Sequence, residues 1–170
     1  GTTSLVAETT DHATRYNITA SHASNDFGGA VSLTGANINL VDADDLILGA
    51  STVTGNLTLQ TGGALTQSGA LTVGGTTGIT AGAANDITLN NASNDFTGAV
   101  SVVSGNDISL ADVNSITLGA FNFSGNLLAE ALEGNVSTNG SSFVKSSGAD
   151  ATLTFKATGN IVLNDGTSIT

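Results

Sequence analysis

Short runs in which apolar and polar residues alternate recur throughout the chain, among them Leu57-Thr58-Leu59, Leu71-Thr72-Val73, Ile87-Thr88-Leu89 and Val100-Ser101-Val102. Each reads in-out-in, the period of a strand with one buried face. Clusters of Gly, Asn, Asp and Ser separate the runs, which start about every eight residues with some longer intervals near eleven. A hairpin meander would mark its turns with Asn-Gly. Here the order is reversed, and Gly55-Asn56, Gly105-Asn106, Gly134-Asn135 and Gly159-Asn160 stand before strands.

A longer period encloses the short one. Asn25-Asp26-Phe27-Gly28-Gly29-Ala30-Val31-Ser32 returns as Asn94-Asp95-Phe96-Thr97-Gly98-Ala99-Val100-Ser101, an offset of 69. After one inserted residue the offset is 70: Ile38-Asn39-Leu40-Val41-Asp42 returns as Ile108-Ser109-Leu110-Ala111-Asp112, and Leu46-Ile47-Leu48 as Ile116-Thr117-Leu118. Brief strands at such spacing are satisfied by an all-β, right-handed parallel β-helix (β-solenoid) with about three short strands per turn, each strand pairing with its counterpart one turn away. The long repeat then predicts roughly three turns of about twenty-three residues, rising about 4.8 Å per turn, and a rod of roughly seven turns. One continuous solenoid is expected, with residues 1–24 as an atypical first partial turn, 25–93 as the first long repeat, 94–137 as a second, partial one, and 138–170 as divergent turns. Tyr16-Asn17-Ile18-Thr19, Leu153-Thr154-Phe155 and Ile161-Val162-Leu163 keep the rhythm outside the clear repeats. Leu127 to Glu133 has helical propensity but occupies a strand-and-turn place in the repeat, and is read as such.

The inward positions name a core: Val31, Ile38, Leu40, Leu46, Leu48, Leu57, Leu59, Leu71, Val73, Ile87, Leu89, Val100, Ile108, Leu110, Ile116, Leu118, Leu127, Ile161 and Leu163. Corner Asn residues are expected to adopt left-handed backbone angles or to stack amide on amide as a ladder.

Composition sharpens this picture. The 170 residues include 22 Gly, six Phe and one Tyr, with no Trp, Met, Cys or Pro, which suits a narrow stacked core and excludes disulfides and thiol catalysis. Three basic residues face 14 acidic ones, a formal net charge of −11. Nucleic acid is therefore not an expected partner, because its affinity comes from clustered Lys and Arg. No apolar run is long enough to insert in a membrane. No signal sequence opens the chain at Gly1, and it reads as a segment cut from a longer protein.

With these residues in view, the sequence resembles the β-strand repeats of giant bacterial adhesins of the filamentous-haemagglutinin type, including two-partner-secreted exoproteins. The resemblance is carried by Gly69-Ala70-Leu71-Thr72-Val73-Gly74-Gly75-Thr76-Thr77 and by Ala83-Ala84-Asn85-Asp86-Ile87-Thr88-Leu89-Asn90-Asn91-Ala92-Ser93-Asn94-Asp95-Phe96, and with the long repeat it covers about residues 25–137. It implies a secreted or cell-surface location and a non-catalytic, structural and adhesive role: a rigid shaft with weak glycan or cell contacts. The expected partners are neighbouring turns of a parent chain, another copy joined end to end, and a glycan or cell-surface receptor. Two other classes stand beside this one: a self-assembling extracellular filament or matrix subunit, and a polysaccharide-acting β-helix enzyme.

The candidate chemistry is acidic. Asp42, Asp44 and Asp45 form the best cluster, and paired carboxylates serve glycoside hydrolysis. Only Asp42 keeps an acidic counterpart, at Asp112, while Asp44 and Asp45 become Asn114 and Ser115; interchange of Asp and Asn is what turns select for. No catalytic residues and no cofactor are assigned. Ca²⁺ is the better second use of these oxygens, with Asp42, Asp44 and Asp45 as weak ligands, although the Gly-Gly-x-Gly-x-Asp calcium nonapeptide is absent. His12 and His22 are read as surface or turn residues.

Overall fold

The computed structural model describes residues 1–146 and 150–170. Twenty-one strands follow one another. They are β1 Thr3–Val6, β2 Ile18–Ala20, β3 Val31–Gly35, β4 Ile38–Asp42, β5 Leu46–Leu48, β6 Ser51–Val53, β7 Leu57–Thr61, β8 Leu65–Gln67, β9 Leu71–Val73, β10 Thr77–Thr80 and β11 Ile87–Leu89. Then come β12 Asp95–Phe96, β13 Val100–Gly105, β14 Ile108–Asp112, β15 Ile116–Phe123, β16 Leu127–Ala131, β17 Val136–Thr138, β18 Ser142–Lys145, β19 Leu153–Ala157, β20 Ile161–Val162 and β21 Ser168–Ile169. The described residues contain no helix, and Leu127 to Ala131 is strand.

Every strand-to-strand pairing is parallel, and partners stand one coil apart. Three ladders result. The first face stacks β2, β4, β7, β10, β13, the second half of β15, β18 and β21. The second stacks β5, β8, β11, β14, β16 and β19. The third begins with β1, β3, β6, β9 and β12. It passes through Val113, whose N–H donates to the Asn94 carbonyl at 2.7 Å, into the first half of β15, then β17 and β20. Strands β3 and β15 run across corners, which joins the ladders into two hydrogen-bonded sheets. The chain is a parallel β-solenoid with three strands to a coil.

Two expectations about its dimensions need correction. Partners are 19 residues apart at Ile38 and Leu57, 20 at Leu57 and Thr77, and 23 at Thr77 and Val100, so coils are generally shorter than twenty-three residues. The repeat also does not span a whole number of them. From β3 to its counterpart β13 there are ten strand steps, three coils and one strand over. Accordingly β4 lies on the first face and its counterpart β14 on the second, and β5 lies on the second while its counterpart in β15 lies on the third. The second copy is the first turned by one face. The inserted residue between copies is Val103, which the ladder skips: Ile79 pairs with Val102 and Thr80 with Ser104. It forms a β-bulge that leaves Val103 exposed.

Alternate residues of each strand close on a shared axis. Leu46, Leu48, Leu57, Leu59, Leu65, Leu71, Ile87 and Leu89 are all within 1% of full burial, and each such side chain contributes about 1.5–3 kcal/mol relative to exposure. Like stacks on like: Ile18, Ile38 and Leu57 occupy successive levels, and Phe121 stacks on Phe143 with ring centres 5.5 Å apart. The core also takes in Leu33, Leu65, Ile79, Phe96, Val136 and Phe143. Two residues expected inside are not: Ile161 and Leu163 are 51% and 54% exposed. They lie on the last coil, where no described strand stacks over them.

Candidate functional site

The corners are built from side-chain oxygens that receive backbone N–H groups from the coil above. Asn17 Oδ1 accepts from Asn37 N–H at 3.0 Å, Asn37 Oδ1 from Asn56 N–H at 2.9 Å, and Asn56 Oδ1 from Thr76 N–H at 2.9 Å. One face round, Asp86 Oδ1 accepts from Asp107 N–H at 3.2 Å, Asp107 Oδ1 from Asn126 N–H at 2.7 Å, and Asn126 Oδ1 from Thr152 N–H at 2.9 Å. These bonds satisfy donors that turn out of the strand ladder at each corner. The expected stacking of amide on amide is seen where the Asn37 amide donates to Asn17 Oδ1 at 3.0 Å, while the rest of these corners are held by backbone N–H donors instead. The left-handed expectation is not met, since His12 is the one non-glycine described residue at positive φ.

Beside each corner ladder runs a shallow groove. One, of about 330 Å³, is bordered by Asp86, Thr88, Asp107, Ser109, Asn126 and Leu128. The other, of about 250 Å³, is bordered by Asn17, Thr19, Asn37, Asn39, Asn56 and Thr58. Taken in order, those residues are counterparts at offsets of 69 and 70. The two grooves are one feature of the repeat presented on neighbouring faces, and the repeat therefore reaches back to Asn17. Lys156 of β19 also borders the first groove.

The acidic cluster differs from the sequence expectation in membership. Carboxylate oxygens of Asp26, Asp42 and Asp44 lie within 4.8 Å of one another. Asp26 comes from the coil below, brought there by the backbone bond from Ala43 N–H to the Asn25 carbonyl at 2.7 Å. Asp45 turns away, and its Oδ1 accepts from Ala64 N–H at 2.7 Å. Asp42 ends β4 and is buried, with Oδ1 accepting from Phe27 N–H at 3.3 Å. Asp44 is raised from its ordinary value by desolvation and by the charges of Asp26, Asp42 and Asp45. In the second copy Asp112 is likewise buried and raised by desolvation, against the pull of N–H donors from Phe96 and Asn114.

The histidines do not meet. His12 Nδ1 contacts Glu8 Oε1, and His22 Nδ1 accepts from Ser24 N–H at 3.2 Å.

No curated protein and no solved structure matches the chain. A family described as "Repeats of unknown function (DUF5649)" matches it twice, over residues 35–103 and 105–168. The two matches start at Gly35 and Gly105, equivalent positions at the offset of 70, and the second runs through residues 138–168, where repetition is no longer visible by eye. With well over half its length matched and two copies wound into one solenoid, the chain belongs to the DUF5649 repeat family.

Proposed function

We propose that this structural repeat protein serves as a rigid, non-catalytic shaft of a secreted or cell-surface bacterial adhesin, making weak and multivalent contacts with glycans through its corner grooves. The supporting observation is the recurrence of one groove on successive faces, lined by hydroxyl, amide and carboxylate groups at a spacing set by the coils. A site repeated in this way gains strength by avidity rather than by any single contact. The resemblance of residues 69–96 to filamentous-haemagglutinin repeats supports the same reading. The non-catalytic part draws support from the engagement of Asp86 and Asp107 as acceptors in the corner ladder.

The test is to couple the chain to beads at graded density and pass them over immobilised bacterial and host polysaccharides, collecting the eluate. Retention that rises steeply with density, with no new sugar ends released, is the expected result. Released sugar ends would make the protein an enzyme, and absence of retention at every density would remove the adhesive role.

A filament subunit is the second reading, since coils that pair through parallel backbone ladders within one chain have the chemistry to pair the same way between copies. Fibres of constant width in electron micrographs of the purified chain are its signature, whereas discrete short rods speak for the shaft.

A further inference from the structure

We propose that Asp26, Asp42 and Asp44 form a calcium site that clamps one coil of the solenoid to the next. Three observations carry it, independently of the adhesin reading.

The first is convergence: three carboxylates from two successive coils bring oxygens within 4.8 Å of one another, with no described Lys or Arg in an ion pair with any of them. The second is an unsatisfied group. Asp42 is 2% exposed, and its Oδ2 has no hydrogen-bond partner while cut off from solvent. A buried carboxylate oxygen left unpaired is costly, and a hard cation with an all-oxygen shell is what removes that cost.

The third is the contrast with the second copy. There the equivalent residues are Asp95, Asp112 and Asn114. Both oxygens of Asp112 are used: Oδ2 accepts from Phe96 N–H at 2.7 Å and Oδ1 from Asn114 N–H at 2.8 Å. The Asn114 amide donates to Asp95 Oδ1 at 3.3 Å. In the second copy a backbone N–H takes the carboxylate oxygen that the first copy leaves unpaired, and the Asn114 side chain ties itself to Asp95 where the first copy sets a third carboxylate, Asp44, beside Asp26. Three carboxylates from two coils, completed by water, suit the irregular shell of Ca²⁺ better than the strict octahedron of Mg²⁺.

The experiment is calorimetric titration of the whole chain with Ca²⁺ alone at neutral pH in calcium-depleted buffer, paired with thermal unfolding. The native chain should bind one ion with a dissociation constant of about 1 mM or tighter, as extracellular modules do, and its Tm should rise with added Ca²⁺. Asp44→Asn, which copies the second arrangement, should keep the native circular dichroism in calcium-free buffer while binding Ca²⁺ at least tenfold more weakly. Asp26→Asn, altered on the other coil, should do the same. Absence of saturable binding by the native chain, as expected if a water or a proton satisfies Asp42, overturns the site; so does native affinity in both variants.

Discussion

At Gly55 a Cβ would stand 2.5 Å from Asn37 Oδ1, and at Gly75, Gly125 and Gly159 it would run equally into the corner oxygen of Asn56, Asp107 or Asn135 one coil below. None of these glycines has the positive φ found at Gly82, Gly140 and Gly166. The Gly-Asn dipeptide so frequent in the sequence is therefore a demand for space: glycine lets the coil settle low enough for its neighbour's N–H to reach the amide oxygen beneath. Gly105-Asn106 is the exception, since its glycine ends β13 facing the side chains of Ile87 and Ile108. The motif was legible and its cause was not, because the clash lies about twenty residues away along the chain, at one coil's distance. Gly75→Ala should accordingly cost about 1–3 kcal/mol, since Asn56 and the backbone of Gly55 must both move. Gly78→Ala, where a new Cβ meets nothing within 4 Å, should be neutral or stabilise by about 0.5–1 kcal/mol through the unfolded chain. Urea midpoints that fall equally for the two would remove the spatial explanation.

Within an element, the alternation of side chains decides what the sequence can show. β7 reads buried-exposed-buried-exposed-buried and β11 keeps its two apolar residues inside, so the in-out-in runs mark the core directly, as they do for Leu40, Leu71 and Leu110. They do not reveal how strands are dealt among faces. A residue period of 69 or 70 is blind to corners, and only the pairing partners show that ten strands wind through three coils and one strand more. Nor do they bring Asp26 to Asp42, sixteen positions apart, a spacing shorter than any coil measured along the strands. Ile161 and Leu163 mislead for the converse reason: the pattern is right, but burial also needs a coil on top. The alternation gives a direct prediction. Leu57→Asp or Ile87→Asp sets a charge among fully buried stacks and should cost about 4 kcal/mol or more, unfolding the neighbouring coils. Thr58→Asp or Thr88→Asp, on the outward side, should change stability by less than about 1 kcal/mol. Denaturation midpoints that drop alike in both pairs would contradict the assignment of faces.

Across the whole molecule the charges are arranged against neutral pH. With a formal net charge of −11, the coils repel one another, and salt or cations relieve them. Two carboxyls report the strain locally. Asp112, raised by desolvation, and Asp44, raised by desolvation and the charges of three neighbouring aspartates, both take up protons more readily in the folded chain than in the unfolded one. For such groups stability grows as pH falls through their folded pKa, the gain being complete below the ordinary value of 3.8. Asp11 runs the other way: the Thr9 hydroxyl and the Ala13 N–H lower its pKa, so what it contributes is present above 3.8 and disappears only in stronger acid. Between neutrality and about pH 4.5 the raised groups and the falling net charge act together while Asp11 stays ionised, so in calcium-depleted buffer the Tm should climb as the solution is acidified. Asp44→Asn should flatten part of that climb by removing one of the two groups. Saturating Ca²⁺ should flatten it too, because an ion held by Asp26, Asp42 and Asp44 favours their ionised forms and is released on protonation. Scanning calorimetry at stepped pH reads all three cases. A Tm that falls steadily from pH 7 to pH 4.5 in the calcium-free native chain would mean that other carboxylates, stabilised in their charged forms, outweigh these two.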